Sequence, residues 1–302
     1  MTRFLICVLG PTAIGKTALS IKLAQHFTTE IISADSRQFF KELSIGTAAP
    51  SPGELASAKH HFIHHKSIND NYNVGAFERD AISLLNEKFN KNPLMIMVGG
   101  SGLYIDAVIK GLDDFPDIDP NIRVELNQKL EKQGLESLQK QLEILDKTIF
   151  DQISIDNPHR IIRALEICIG TGKPYSSFLK TSNTKRDFDI IKIGLTADRE
   201  EIYNRINQRV DDMVAAGLVE EATSLFTFKH LNALNTVGYK EIFAYLEGEY
   251  SLDFAISEIK KNSRRFAKRQ MTWFKKDESI QWFHYKTSTE DIIEYIENKM
   301  TK

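Results

Sequence analysis

The sequence predicts an α/β fold: a parallel sheet core flanked by helices, with an all-helical domain inserted into it. Three observations carry that expectation. Short continuous apolar runs alternate with helical patterns, as they do where parallel strands are buried on both faces. A glycine-rich loop joins the first such run to the first helical pattern. Between residues 119 and 178 no strand signal appears at all.

The elements follow in order. "FLICVL" (4–9) reads as the first strand and leads into a helix with Leu19, Leu23 and Phe27 at spacing four. "EIISAD" (30–35) is a second strand that ends in an acid, and "PLMIMVGG" (93–100) a third that ends in glycines. "DIIKIGL" (189–195) is a fourth, followed by the helical "DREEIYNRINQRVDDMVAAG". In the strand-free stretch, Ile122, Leu126 and Leu130 recur at spacing four, then Leu138, Leu142 and Leu145. "GLDDFPDIDP" (111–120) and "TSNTKRD" (181–187) read as the linkers on either side. The expected division is a core of 1–115 and 188–302, with the helical insertion spanning 116–187.

The composition narrows the setting. With 42% hydrophobic residues among 302, the chain can bury a sizeable core. Its two cysteines, Cys7 and Cys168, sit in separate apolar stretches and make no disulfide framework, which points to a reducing compartment. The run from Phe4 to Leu9 is too short for a signal peptide, and nothing approaches the ~18 apolar residues of a membrane span. The expectation is a cytoplasmic protein without a membrane. A net charge of −2 gives no global field for nucleic acid, so any such surface must be local.

"GPTAIGKT" satisfies the phosphate-loop pattern G-x-x-x-x-G-K-[ST], with the strand before it and the helix after it that the pattern requires. Gly10, Pro11, Thr12, Ala13, Ile14, Gly15, Lys16 and Thr17 are therefore expected to cradle a phosphate through backbone N–H groups and a helix N-terminus. Lys16 adds a mobile positive charge, and Thr17 offers a hydroxyl to Mg²⁺. The core is thus expected to be P-loop NTPase-like. The loop specifies the anion and leaves the chemistry open. Nucleoside triphosphatases typically close a later apolar strand with a metal-holding Asp. Here "LMIMV" closes with "GGSGLY", and the acid, Asp35, closes "IISAD" instead. That weakens a triphosphatase reading, although a small-molecule or nucleotide kinase on the same loop remains the alternative.

Asp35 fits a metal partner, a base for an acceptor substrate, or the N-cap of a helix around "RQFF"; the residues alone leave these open. Ser101 offers a hydroxyl to the same crevice or belongs to a tight turn. Residues 260–276, "KKNSRRFAKRQMTWFKK", carry Lys260, Lys261, Arg264, Arg265, Lys268, Arg269, Lys275 and Lys276 and no acid. At ~100° per residue all eight fall on one half of a helix, while Ile259, Phe266, Trp273 and Phe274 fall on the other and are expected to dock on the core. A single-sign face in a near-neutral chain suits nucleic acid or polyphosphate. Four histidines crowd "KHHFIHHK": His60, His61, His64 and His65. No cysteine or glutamate completes a metal set, so a polar loop or channel wall is favoured over a zinc site.

Taken together, "GPTAIGKT", "IISADSRQ", "IGTAAPS", "HHF", "YNVGAFERDA", "VGGSGLY", "DNPHRIIRALE", "TGKP", "RINQRVDDMVAAGLVEE", "TVGYKE" and "RRFAKRQMTWF" resemble, in order and spacing over nearly the whole chain, the bacterial tRNA dimethylallyltransferases. The chain is similar, less fully, to enzymes that prenylate free adenine nucleotides. The resemblance implies transfer of a dimethylallyl group from dimethylallyl diphosphate to the exocyclic amine of the adenosine 3′ of the anticodon. It implies that residues 12–17 bind the allylic diphosphate, with Mg²⁺ on Thr17, and that Asp35 is the general base. The implied catalytic set is Asp35, Ser101 and Lys16, with Ser101 in place of the family's commoner Thr. Contacts to the tRNA anticodon stem-loop are implied for Asp35, Ser36, Arg37, Gln38 and Ser101. In the insertion they are implied for Arg123, His159, Arg160, Ile161, Ile162 and Arg163; Arg264, Arg265 and Lys268 are expected to join them on the strength of the basic face alone. No protein partner is implied, and a monomer is expected. Two positions depart from the family: Ala49 stands where "IGTAKP" has Lys, and His64 where "HHLID" has Asp.

Overall fold

The computed structural model describes residues 2–179 and 184–301; Thr181, Ser182 and Asn183 of the expected trailing linker lie outside the described residues. The chain divides into two compact units, Met1–Lys110 with Arg186–Lys302, and Gly111–Lys185. The strands are β1 (Phe4–Leu9), β2 (Ile31–Ser33), β3 (His60–His61), β4 (Leu94–Val98), β5 (Asp189–Thr196) and β6 (Gln281–His284). The helices are α1 (Lys16–His26), α2 (Pro52–Ser57), α3 (Val74–Lys88), α4 (Gly102–Lys110), α5 (Pro120–Leu145), α6 (Lys147–Gln152), α7 (Pro158–Thr171), α8 (Arg199–Ala215), α9 (Leu218–Ser224), α10 (Tyr239–Leu246), α11 (Leu252–Phe274) and α12 (Thr289–Met300).

Among the described residues the first unit holds one parallel sheet in the order β3-β2-β4-β1-β5-β6. β1 lies between β4 and β5, with Val8 opposite Val98 and Ile193. Every residue of β1 and β4 is buried, and the two-residue period of the strands sorts them into two cores. Leu5, Cys7, Leu9, Met95 and Met97 join Phe39, Phe77 and Tyr239 on one face. Ile6, Val8, Ile96 and Val98 join Leu19 and Leu23 of α1 and Ile292 and Ile296 of α12 on the other. Covered on both faces, these strands read as unbroken apolar runs.

Two strands escape that pattern. β3 and β6 close the two edges of the sheet, pairing His60 with Ile31 and Gln281 with Ile193. Edge strands are exposed along one side, so neither needs a long apolar run; both are short, and none of their residues is fully buried.

The second unit is helical. Leu126, Leu138 and Leu142 of α5 are buried with Ile149, Ile161, Ile162 and Leu165. α5 breaks at Gly134 (φ 74°, ψ 175°), which is why the spacing-four pattern restarts between Leu130 and Leu138. Leu145, expected on the apolar stripe, is the last residue of α5 and is 40% exposed, because the helix ends there.

Candidate active site

The carboxyl ends of β1, β2 and β4 lie side by side and deliver the loop at 10–17, Asp35 and the turn Gly99-Gly100-Ser101 to one edge of the sheet. The Ala34 N–H donates to Val98 O at 2.7 Å, and the Gly99 N–H to Val8 O at 3.3 Å, so the three segments are stitched together. Gly10 has φ 141°, and a Cβ there would stand 2.6 Å from Leu195 O on β5; only glycine fits. α1 opens at Lys16, so its N-terminal N–H groups meet the loop. Lys16 Nζ donates to Pro11 O at 2.8 Å. Burial pushes the Lys16 ammonium down to about 7; the Arg209 guanidinium adds to the push, and Asp35 opposes it.

Three side chains far from the loop in sequence, to which no site role was expected, brace it. Arg205 Nε donates to Ala13 O at 2.7 Å, and Arg209 Nη1 lies 3.4 Å from Thr12 Oγ1. Gln270 Oε1 accepts the Thr12 N–H at 2.8 Å, while its Nε2 donates to Gly100 O at 2.9 Å. A signal for each is nonetheless present. "RINQR" sets two arginines at spacing four beside the buried stripe Ile202, Ile206 and Val210, and Gln270 is a polar residue on the inner half of the basic helix.

Two cavities adjoin here. One, of about 360 Å³, is lined by loop residues Thr12 through Thr17 together with Ser33, Asp35 and Gln38. The other, of about 580 Å³, is lined by Ser36, Arg37, Ser101 and Tyr104 and by apolar side chains of α8 and α11. Thr12, Asp35, Gly100, Arg209 and Gln270 border both. Asp35 therefore stands in a shared wall, with the phosphate loop on one side and a larger, more apolar space on the other. Its Oδ1 accepts the Arg37 N–H at 3.1 Å. That bond closes a turn over 36–39, and no helix starts there, so of the readings left open for Asp35 the N-cap of a helix around "RQFF" is excluded. A carboxylate here feels the positive charges of Lys16 and Arg209.

The family described as IPP transferase matches residues 38–277. The chain belongs to the IPP transferase family. It is 61% identical over 300 residues to the tRNA dimethylallyltransferase of Christiangramia forsetii, covering 99% of each chain. To that of Flavobacterium johnsoniae it is 57% identical, covering 97% of each. Its fold is similar to the crystal structure of the full-length tRNA isopentenylpyrophosphate transferase from Bacillus halodurans, with a TM-score of 0.71, 36% identity, and coverage of 100% of this chain and 96% of that one.

The remaining expected residues take varied positions. Ser101 Oγ accepts the Ser36 N–H at 3.2 Å and lies 3.3 Å from Ser36 Oγ, at the border of the larger cavity. Arg37 Nη1 donates to Asn232 O at 2.7 Å and Ala233 O at 3.1 Å, and Gln38 Nε2 donates to Thr47 O and Ala48 O. Both side chains brace the crevice walls. Burial lowers the Arg37 pKa.

The eight basic residues of 260–276, six of them on α11 and Lys275 and Lys276 just past its end, are not equivalent. Lys260 pairs with Asp211 at 2.6 Å, Lys261 with Glu258 at 2.7 Å, and Arg264 Nη1 donates to Asn207 Oδ1 at 2.7 Å. Arg265, Lys268, Arg269, Lys275 and Lys276 are exposed. Ile259 and Phe274 are buried as expected, but Phe266 and Trp273 are 38% and 40% exposed and line the larger cavity instead of the core.

The histidines are dispersed. His60 borders the smaller cavity, and His61 Nε2 meets Glu30 Oε2 at 2.5 Å. His64 Nε2 lies 3.5 Å from Ser44 Oγ, and Ala49 borders the smaller cavity. His65 packs against Phe39, Phe62 and Tyr72, and burial pushes its imidazole down to about 4. Among the described residues no three His, Cys, Asp or Glu side chains gather as a metal site. Among the same residues no helix is long and apolar enough to cross a membrane.

In the second unit, Arg123 grips the buried Glu166 with Nε at 3.1 Å and Nη2 at 2.7 Å, and Arg163 Nη1 joins at 3.0 Å. Ile161 and Ile162 are core residues of that unit, so their side chains do not reach a surface. His159 and Arg160 are exposed and Arg163 half-buried.

Proposed function

We propose that this chain transfers a dimethylallyl group from dimethylallyl diphosphate to the exocyclic N6 amine of the adenosine immediately 3′ of the anticodon in tRNA, releasing diphosphate. Full-length relatives named tRNA dimethylallyltransferase support the reading. The observation that carries it is the place of Asp35 in the wall common to the phosphate-loop cavity and the larger one. In the transfer the C1–O bond to diphosphate breaks, the N6–C1 bond forms, and Asp35 takes the N6 proton. Loop N–H groups, Lys16 and Arg209 stabilise the charge that grows on the departing diphosphate. The adenine leaves its stack to enter the larger cavity, and enclosure keeps water from the allylic carbon.

Mg²⁺ bound together with a phosphate substrate needs only one or two protein ligands, which fits a cavity offering the Thr17 hydroxyl without a preformed cluster. When bound, the ion would supply further positive charge to the diphosphate. The reading places the enzyme in the cytoplasm and requires no second copy of the chain. The second unit, with His159, Arg160, Arg163 and Arg123, is assigned to the anticodon arm.

A kinase on the same loop would leave the full-length tRNA-modifying relatives unexplained. The test is incubation with unmodified tRNA, Mg²⁺ and dimethylallyl diphosphate, followed by mass analysis of the nucleosides. An adenosine heavier by one dimethylallyl group is expected. Phosphate transfer from ATP with unchanged adenosine would contradict the proposal.

A further inference from the structure

We infer that Trp273 is the platform on which the reacting adenine stacks, and that Asp106 fixes its orientation. The inference rests on the function proposed above and concerns residues of the larger cavity that the chemistry leaves unused.

Trp273 sits near the end of α11 with two-fifths of its surface open, although it lies on the half of the helix that faces inward. An indole that could have been buried is instead left bordering the 580 Å³ cavity. It is also held still. Its one polar atom, Nε1, donates to Asp106 Oδ2 at 3.0 Å, and Asp106 Oδ1 is in turn paired with Lys110 Nζ at 2.9 Å. The edge of the ring presses on Gly102, where a Cβ would stand 2.4 Å from Cδ1 and 2.5 Å from Nε1. Any side chain at Gly102 would push the indole out of place.

With its N–H spent, the ring has only its π surface to offer the cavity. A flat, polarisable partner fits that surface, and an unpaired purine is the partner this reaction supplies. The platform is linked to the carboxylate through a short path. Gly102 follows Ser101, whose Oγ accepts the Ser36 N–H, and Ser36 follows Asp35. A base resting on Trp273 is thereby registered against the group that takes its proton.

The test uses an anticodon stem-loop RNA with 2-aminopurine at the target position. That base lacks the N6 amine, so it binds without reacting, and stacking on indole quenches its fluorescence. The full chain is expected to quench it. Trp273→Leu should restore the fluorescence and weaken RNA binding roughly fivefold to a hundredfold, with KM for dimethylallyl diphosphate unchanged; Trp273→Phe should retain most of the binding. Because the leucine variant can disturb packing, a second pair carries the test independently. Asp106→Ala should lose quenching, and Asp106→Asn, which keeps an acceptor for the indole N–H, should recover it. Unaltered quenching in Trp273→Leu, or quenching confined to 2-aminopurine at a neighbouring position, would overturn the platform. A wild-type chain that fails to alkylate unmodified tRNA would instead refute the proposed function itself.

Discussion

At the scale of single residues, the proposed chemistry turns on one carboxylate placed where two cavities meet. Asp35 is tied by a single backbone bond to Arg37 N–H, and it faces the charges of Lys16 and Arg209. Under the proposed function Asp35 accepts the N6 proton, and it is the one carboxylate among the described residues that line both cavities. Asp35→Ala should therefore lower kcat by roughly 10²–10⁴-fold while tRNA affinity holds, as steady-state kinetics beside filter binding would show. The phosphate loop and Asp35 were legible in the sequence because each is a local pattern, a motif and an acid at a strand end. Arg205, Arg209 and Gln270 were not, because the atoms they hold, on Thr12, Ala13 and Gly100, are reached only through the fold. Ile161 and Ile162 show the reverse error. A motif that resembles an RNA-contacting run includes residues whose period places them in the core.

Elements explain how that geometry is kept. α11 carries Gln270, whose amide spans from the loop after β1 to the turn after β4. Gln270→Leu would leave the Thr12 N–H and the Gly100 carbonyl without partners, each worth about 1–3 kcal/mol when buried and unsatisfied. Denaturant unfolding should show that loss together with a raised KM for dimethylallyl diphosphate. The edge strand β6 is secured differently. Lys192 Nζ on β5 donates to Asp277 Oδ2 at 2.6 Å, just before β6 begins. Burial opposes the charge on Asp277, but the bonds from Lys192 and Ser279 outweigh it and hold the carboxyl at about 2, below its usual value near 3.8. A carboxyl lowered on folding contributes stability that is present above pH 4 and lost as pH falls toward 2. Asp277→Asn should accordingly be less stable at pH 7 and show a flatter decline in stability across pH 4 to 2. β6 itself was missed beforehand, since four residues with two apolar side chains, Trp282 and Phe283, are too few to show a strand period.

For the whole molecule, a chain of net charge −2 must bind a polyanion through local surface. Counting all eight cations of 260–276 overstates that surface, because Asp211 and Glu258, which neutralise Lys260 and Lys261, lie outside the basic run. The exposed remainder makes the sharper prediction. Replacing Arg265, Lys268 and Lys275 with Gln should weaken tRNA binding and reduce the slope of log K against log salt by about 0.7–0.9 for each phosphate left without its cation. Lys260→Gln should leave the slope unchanged. All of this serves one claim, that the phosphate loop holds a departing diphosphate while Asp35 receives a proton from RNA. The most direct measurement is a crystal structure with an inert thiolo analogue of dimethylallyl diphosphate. The diphosphate should lie within hydrogen-bonding distance of Lys16 Nζ and the loop N–H groups, with the allylic carbon turned toward Asp35. An anionic end seated away from Lys16, or an allylic carbon shielded from Asp35, would contradict the account.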